Sequence, residues 1–516
     1  MESYLYRSQV QSVDRRKLNS AFVWSFWFLS ILGMTSLFAL LMLRGGPKPS
    51  SIAWVIFLFG LALVLYQPRY GIYLIVFLGL TGDGVLMPWY PFLKNFSSRE
   101  SILFLHDALI ISPLEAFIVV TAVSWLGRGL MQRRLQFYVS EIFWPAVVFL
   151  VFVAVGLFYG VATGGSVNIA LWETRPIFYL IAMVILTSNL LDKREHFSHL
   201  MWAAILALTI ESIYGVYYFV FTLNSSLAGV DAIMDHSAAV HLNTLFILFL
   251  AVWLYNGSAV KRFALIPVLP FALLTYLAAQ RRAAFITLFM GLAFLAILLY
   301  IHKRHVFWLI TPPAVLIGLV YIGVFWNASG ALGLPAQAIK SVVAEDQANA
   351  ADVSSNLYRI IENVNTSFTI HQKPLTGVGF GQQFYILIPL PDISFFEWWS
   401  YLPHNSIIYM WVKTGIGGFL SMLFFIGTAV LIGTQAIRRM PPNDLRAIAA
   451  TATIYITMHF VYAYVDISWD TQSMLYLGAM IGAVSCMERV VGQPTAVEKK
   501  RWPWQPDPQP APGLIN

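Results

Sequence analysis

A histidine, an asparagine and a serine stand together where an apolar run begins, in the stretch LPHNSIIYMWV. His404 follows Pro403 and precedes a segment that reads as a membrane span, so we expect its ring at the membrane surface. A neutral imidazole accepts a proton near neutral pH, which is the chemistry of a general base. An interfacial histidine can equally be a hydrogen-bonding anchor, and the residues alone leave both interpretations open. Asn405 is placed to cap the helix that follows.

Arginines form the second group of candidate residues. Arg281 and Arg282 are adjacent in a tight turn between two apolar segments. Arg175 opens another apolar segment, where an ion pair with Glu173 or snorkelling to the interface would also explain it. Arg359 lies in a long polar loop. Because guanidinium binds phosphate through two parallel hydrogen bonds, several such groups on one side of a membrane indicate an anionic head group, and diphosphate fits.

The remaining histidines and acidic residues give weaker signals. His236 and His241 lie five positions apart at the start of a span and are candidates for the same cavity. His459, Asp466 and Asp470 lie near the end of a later span, but their spacing matches no strong metal-ligand motif. We therefore predict no metal site and no cofactor. A single cysteine rules out an internal disulfide.

The composition identifies the elements that must position these residues. The chain has 516 residues, of which 58% are hydrophobic and 11% charged, and a soluble domain of this size would need more polar surface. We predict an all-α fold, a polytopic membrane helical bundle of about 12–14 transmembrane helices. The predicted spans are 21–43, 51–66, 70–87, 108–127, 141–160, 174–190, 199–222, 238–255, 263–279, 283–301, 306–326, 405–436, 447–465 and 471–487. The second and third are short and close together, which leaves a count of twelve or thirteen open.

Charge predicts the orientation of the bundle. Most of the 32 lysines and arginines fall in alternate loops, and cytoplasmic loops are the ones that collect them. Both termini are therefore predicted to be cytoplasmic, with His404 outside. This topology also accounts for most of the +7 net charge without a nucleic-acid partner. The predicted organisation is a cytoplasmic segment 1–20, helices 1–11 over 21–326, a large outer loop 327–403, helices 12–14 over 404–488, and a Pro-rich cytoplasmic tail 489–516.

The outer loop is long enough to have a function of its own. Between Asn356 and Ile370, apolar residues recur at 357, 360, 361, 364 and 368, which predicts an amphipathic helix packed over the core. The stretch GVGFG and the aromatic run FFEWWSY at 395–401 follow it. Those aromatic rings suit either sugar stacking or an interfacial belt.

Three motifs together resemble the bacterial O-antigen ligase and polymerase superfamily of membrane glycosyltransferases. AAQRRAAFITL resembles the family's arginine motif, with Arg282 the better match and Arg281 the alternative. The loop from Arg359 to PLTGVGFG, with glycines at 377, 379 and 381, resembles its long-loop pattern. LPHNSIIYMWVKTGIGG resembles its His-Asn-Ser stretch, although Lys413 stands where many members carry Glu. The resemblance runs from about 171 to 483.

The resemblance implies a metal-independent inverting transfer at the periplasmic face of the bacterial inner membrane. The donor would be a glycan on undecaprenyl diphosphate, and the acceptor would be a glycan or the lipid A–core. His404 would be the base, and Arg281, Arg282 and Arg175 would hold the diphosphate. Arg359 would either hold the diphosphate as well or order the loop. Gly377, Gly379, Gly381 and Asn405 would complete the substrate site. A chain-length regulator is a further partner of such enzymes.

Other functions compete with this interpretation. A flippase of lipid-linked glycans would have a similar size and a basic cavity, but such transporters usually show related halves, and the sequence has no internal repeat. A scaffold or sensor would not need the arginine doublet. Within the family, polymerases and ligases share these motifs. The extra N-terminal spans and the long tail slightly favour a repeat-unit polymerase over a ligase.

Overall fold

The computed structural model describes residues 23–491, apart from 37, 41–47, 134, 228–229, 231, 329, 345–349 and 392–397. These residues form sixteen α-helices and no strand. The helices are α1 Val23–Leu40, α2 Pro49–Tyr66, α3 Arg69–Thr81, α4 Pro113–Met131, α5 Phe143–Ala162, α6 Val167–Leu190, α7 Arg194–Tyr217, α8 Ala238–Leu254, α9 Ala259–Ala278, α10 Arg282–His302, α11 Arg304–Val324, α12 Leu334–Val343, α13 Ala350–Gln372, α14 Ser406–Arg439, α15 Asp444–Val465 and α16 Thr471–Val491.

The predicted helical membrane bundle is confirmed. Every one of the fourteen predicted spans holds a helix, and twelve helices of the described chain are long and apolar enough to cross a membrane. The two shorter apolar helices are α3 and α8, so the prediction that the third span is short is confirmed. With 18 residues and a mean hydropathy of 2.0, α2 is long enough to span a hydrocarbon core.

The helices differ greatly in how much protein surrounds them. In the most apolar 18-residue stretch of α15, 72% of the residues are buried inside the protein, and in that of α16 the share is 83%. In α11 no residue of the corresponding stretch is buried. A bilayer is itself an apolar solvent, so helix α11 can expose its leucines and valines to lipid without cost. The interior of the bundle is therefore built around α6, α15 and α16, and the polar groups described below lie at one end of it.

Helix α14 changes direction near its start. Gly415 has φ 67° and ψ −173°, which is not helical, and a Cβ there would lie 1.9 Å from the carbonyl oxygen of Leu375. A short outer part, 406–414, therefore precedes the kink, and Lys413 belongs to that part rather than to the spanning part. Of the other glycines in this stretch, Gly417 allows a close approach of α5, because Phe152 packs against it.

The predicted amphipathic helix of the outer loop exists as α13, but it faces the opposite way. Its polar residues are the buried ones, and they are Glu362, Asn365, Thr366 and Thr369. Its apolar residues Leu357 and Ile360 are 52% and 53% exposed. The prediction assumed that burial follows hydrophobicity, whereas this helix contributes hydrogen-bonding groups to a polar site.

Three predicted features lie partly or wholly outside the described residues. Segment 1–20 lies wholly outside them, and so does the tail beyond residue 491. The aromatic run begins outside them as well, and its described part starts at Trp398, whose ring meets that of Trp172 at 6.3 Å.

Candidate functional site

His404 is held by a carboxylate of the outer loop. Its Nδ1 lies 3.2 Å from both oxygens of Glu362, and its backbone N–H donates to Glu362 Oε2 at 2.8 Å. The Glu362 side chain is 1% exposed, while that of His404 is 22% exposed. The ring of Tyr358, one turn earlier on α13, meets the imidazole edge to face at 5.5 Å. The imidazole is thus fixed in place but reachable from outside.

The contact with Glu362 assigns the tautomer of His404. A carboxylate accepts only, so Nδ1 carries the proton and donates it, which leaves the Nε2 lone pair able to take a proton. An oriented imidazole with a buried carboxylate behind it is the arrangement by which enzymes activate a hydroxyl nucleophile. The geometry therefore suits His404 to act as a general base.

A second cluster, Arg359–Asp466–His236, adjoins the first. Arg359 lies three residues before Glu362, and its Nη2 is 3.6 Å from Asp466 Oδ2. The same carboxylate oxygen is 2.9 Å from Nδ1 of His236. Burial alone would raise the pKa of Asp466, but His236, Arg359 and His404 outweigh it and hold that pKa below its usual range. Asp466 is therefore a fixed negative charge among three basic side chains.

The arginine doublet lies at the turn between α9 and α10. Gln280 adopts φ 54° there, and Arg282 is the first residue of α10. Arg281 Nη2 donates to the carbonyl of Met234 at 3.1 Å, two residues before His236, while its buried Nε has no hydrogen-bond partner. The turn thus brings Arg281 to the segment that carries His236.

Arg175 has a different environment from the other arginines. Its Nε forms an ion pair with Glu115 at 2.9 Å, and its Nη2 donates to the carbonyl of Ile110. Its guanidinium lies 4.7 Å from the ring centre of Trp172. The alternative of an ion pair with Glu173 was wrong, because Glu115, 60 positions away, is the partner. With its donors already engaged, Arg175 has less capacity for a phosphate than Arg281 or Arg359.

Glu173 pairs instead with Lys413. The two side chains are fully buried, with Nζ 2.7 Å from Oε1. Lys413 Nζ also donates to the carbonyl of Gln382 at 2.6 Å, and Glu173 Oε2 accepts the N–H of Gly381 at 2.5 Å. The pair therefore fastens the glycine-rich loop to α6 and to the outer part of α14. This explains why a lysine is tolerated at position 413 at all, since both charges and the loop backbone satisfy one another.

The three glycines of the long-loop motif all need left-handed backbone. Gly377, Gly379 and Gly381 have φ of 64°, 89° and 79°. A Cβ at Gly379 would lie 2.3 Å from the Cα of Gly160 in α5. The loop thus packs against the transmembrane helices, with Phe380 N–H donating to the carbonyl of Gly156 at 3.1 Å. The three glycines thus allow the loop to pack tightly against the helices. Their backbone supports the site and does not itself surround a ligand.

Asn405 caps α14 as predicted, because its side chain accepts the N–H of Ile408 at 3.0 Å. Ser406, next to it, donates to the carbonyl of Asp466 at 3.0 Å and accepts the N–H of Ser468 at 2.9 Å. These bonds tie the segment after α15 to the segment that carries His404, so the two clusters keep a fixed separation.

A small, mostly apolar cavity of about 20 Å³ lies between α14, α15 and α16, close to these bonds. Its lining includes Ile407, three residues after His404, and Ser468 and Trp469 from the segment after α15. His459 also lines it, and its side chain is buried. The site therefore adjoins apolar space between spans.

The other candidate histidines and acids do not gather around a metal. His241 is buried and its Nε2 lies 3.2 Å from Ser473 Oγ, so it belongs to the core rather than to the cavity of His236. Within the described ranges, three or more His, Cys, Asp or Glu side chains nowhere converge as metal ligands. Asp470 is held by the N–H of Ser473 at 2.8 Å.

Sequence reasoning missed Glu362 and undervalued Asp466 and His236. A signal for Glu362 was present, since it lies three residues after Arg359 and therefore on the same face of a helix. No local signal links Asp466 to His236, which is 230 positions away.

Comparison with known proteins adds an independent finding. Residues 267–423 match the family described as O-antigen ligase. This range, less than a third of the chain, contains every predicted site residue except Arg175. A search of curated proteins finds no match for the chain. The protein is thus a multi-pass helical membrane protein, and its match to the O-antigen ligase family over residues 267–423 is consistent with the O-antigen ligase and polymerase superfamily.

Proposed function

We propose that this protein transfers a glycan from undecaprenyl diphosphate to a sugar hydroxyl at the periplasmic face of the bacterial inner membrane. The family indicates a glycosyltransferase-like enzyme of surface polysaccharide biosynthesis, and the donor, acceptor and location are our inference. The observation that carries it is the contact between His404 and Glu362, an oriented base beside a group of arginines. Both termini would be cytoplasmic, as the loop charges predict.

The mechanism follows from the geometry of the two clusters. His404 Nε2 removes the proton of the acceptor hydroxyl while that oxygen attacks the sugar carbon attached to phosphate. The bond from this carbon to the phosphate oxygen breaks, and its electrons leave with undecaprenyl diphosphate. A single displacement inverts the configuration at the sugar carbon. Glu362 stabilises the imidazolium that forms, as a buried carboxylate does for other catalytic histidines.

Cations stabilise the leaving diphosphate. Arg359 and Arg281 each retain a buried Nε–H without a partner, so each has a donor available for an anionic ligand. We assign both to the diphosphate together with Arg282, and we give Arg175 a supporting role at the rim.

Two candidate activities share this chemistry. We prefer a polymerase that adds one repeat unit at a time, on the basis of the extra N-terminal spans and the long tail. The alternative is a ligase that attaches finished polymer to the lipid A–core. A flippase is disfavoured, because such transporters usually show related halves and this sequence has no internal repeat.

The deciding experiment measures the glycan on the lipid carrier in cells that lack the protein. Single repeat units accumulating on the carrier support the polymerase. Long chains stranded on the carrier support the ligase instead. An unchanged carrier pool, with normal surface polysaccharide, contradicts both activities and with them the proposed function.

A further inference from the structure

His236 has the same kind of environment as His404. Its Nδ1 is 2.9 Å from Asp466 Oδ2, a carboxylate whose side chain is 6% exposed. The His236 side chain itself is 43% exposed, so Nε2 can be reached from outside. The structure thus contains a second imidazole that a buried carboxylate orients through Nδ1. Nothing in the transfer step described above uses it.

The neighbours of the two histidines differ. Behind His404 stands Glu362, which makes two contacts to the ring and one to the backbone N–H. Behind His236 stands Asp466, which shares its charge between His236 and Arg359. The segment just before His236 is bound by Arg281 through the carbonyl of Met234. His236 therefore shares a carboxylate with Arg359 and follows a backbone carbonyl bound by Arg281, whereas His404 faces a carboxylate of its own.

The two arginines leave donors unused at this place. The Nε–H groups of Arg281 and Arg359 are buried and have no hydrogen-bond partner. Unmade hydrogen bonds of buried charged groups are costly, so such groups point to a ligand that completes them. The acid nearest in the chain, Asp235, accepts the backbone N–H of His236 at 2.8 Å through Oδ1, and its carboxylate does not accept either Nε–H. The unused donors call for an anion.

We propose that His236 binds the diphosphate of the lipid-linked donor, donating from Nε2–H to a phosphate oxygen between Arg281 and Arg359. With Nδ1 donating to Asp466, the ring donates from Nε2 as well only when it is the imidazolium. Asp466 balances that charge, which makes it a positioning residue for His236. This proposal rests on the proposed function, since it takes the diphosphate from there. It separates the two histidines into one that holds the leaving group and one that activates the acceptor.

The test measures binding of undecaprenyl diphosphate to the purified full-length protein in nanodiscs, separately from transfer. His236→Ala should weaken binding about tenfold, as loss of a charge-assisted hydrogen bond does. His236→Lys should restore part of the affinity, because it returns a cationic donor. His404→Ala should bind the carrier as the wild type does, while it loses transfer. The matched control is His371→Ala, which removes an exposed histidine of α13.

Unchanged carrier binding in a folded His236→Ala protein overturns the proposal, and so does a failure of the wild type to bind the carrier. If His236→Ala does not fold, His236→Gln and Asp466→Asn serve in its place, because both keep the packing while removing the charge; normal binding in both is equally contradictory. Transfer that persists in His404→Ala, with binding lost in His236→Ala, would refute the base of the proposed function and leave this inference standing.

Discussion

The imidazole of His404 and the carboxylate of Glu362 lie 3.2 Å apart, although 42 positions separate them in the chain. One precedes the kinked helix α14 and the other is on α13, the helix of the outer loop. Docking of α13 by its polar face brings them together. The candidate base is thus assembled by the loop, so the loop is part of the site and not a cover over it.

Removal of the base should abolish most of the transfer. We expect His404→Ala to lower the turnover number by about 10²–10⁴-fold, the usual contribution of a positioned base. Glu362→Gln should lower it by up to roughly 10⁴-fold, because the amide neither fixes the tautomer nor balances the imidazolium. The effect of Glu362→Gln should fall on turnover and not on the Michaelis constant for the donor. A rise in this Michaelis constant by the same factor as the fall in turnover number would show that Glu362 has a structural role only.

Arg359 and Arg175 should respond differently to replacement by lysine. Arg359→Lys keeps the charge but loses the planar fork, so we expect a raised Michaelis constant for the lipid-linked donor. Arg175→Lys breaks the contacts with Glu115 and Ile110, so it should lower the melting temperature more than it changes donor affinity. Steady-state kinetics and thermal unfolding of the two purified variants decide this. If Arg175→Lys raises the Michaelis constant and Arg359→Lys mainly lowers the melting temperature, Arg175 and not Arg359 contacts the diphosphate.

The buried pair Lys413–Glu173 should matter for stability. Lys413→Met leaves a buried carboxylate without its partner and should cost about 3–5 kcal/mol. The double variant Lys413→Met, Glu173→Gln should recover much of this loss. Arg439→Met is the matched control, since its pair with Glu488 is largely exposed and contributes about 0–1 kcal/mol. Thermal unfolding in detergent measures all three, and a double variant as unstable as the single one would contradict the argument.

Gly379→Ala should destabilise the protein strongly. The new Cβ meets the backbone of Gly160 at 2.3 Å in a conformation with φ 89°, and neither backbone can move without disturbing α5. Gly318→Ala is the control, because nothing lies within 4 Å of a Cβ at that helical position of α11. We expect the control to be neutral or slightly stabilising. Equal melting temperatures for the two variants would show that the loop is not packed as described.

Asp470 should make stability depend on pH. Burial, reinforced by Asp235, raises the pKa of Asp470 to about 6, against the N–H and hydroxyl of Ser473, which lower it. The folded protein then binds this proton more tightly than the unfolded chain, so the contribution of Asp470 to stability is lost as pH rises from about 4 to 6. The free energy of unfolding of Asp470→Asn should therefore increase relative to that of the wild type between pH 4.5 and 7, by up to about 3 kcal/mol.

Melting temperatures of both proteins across this range test the sign. If the melting temperature of Asp470→Asn exceeds that of the wild type by less and less as pH rises, the folded protein stabilises Asp470 as the anion. Asp107→Asn is a suitable control, because that carboxylate is exposed and its contact with Arg99 is a surface pair.

What the sequence determined by itself was local. Long apolar runs predict helices in a bilayer, because an isolated backbone there must satisfy its own hydrogen bonds, and all fourteen predicted spans hold helices. The cap at Asn405 and the left-handed glycines 377, 379 and 381 follow from residue type in the same way. Each of these features depends on a few neighbouring residues.

Only the tertiary structure decided which polar side chains meet. The partners of His404, of Arg175 and of Lys413 are 42, 60 and 240 positions away, and any of several carboxylates would have suited each cation by charge. The sequence also predicted the wrong face of α13 to be buried. An amphipathic pattern tells that a helix has two faces, but in a membrane protein the apolar face need not be the buried one. The buried face is the one whose donors and acceptors find partners, and only the packed chain provides them.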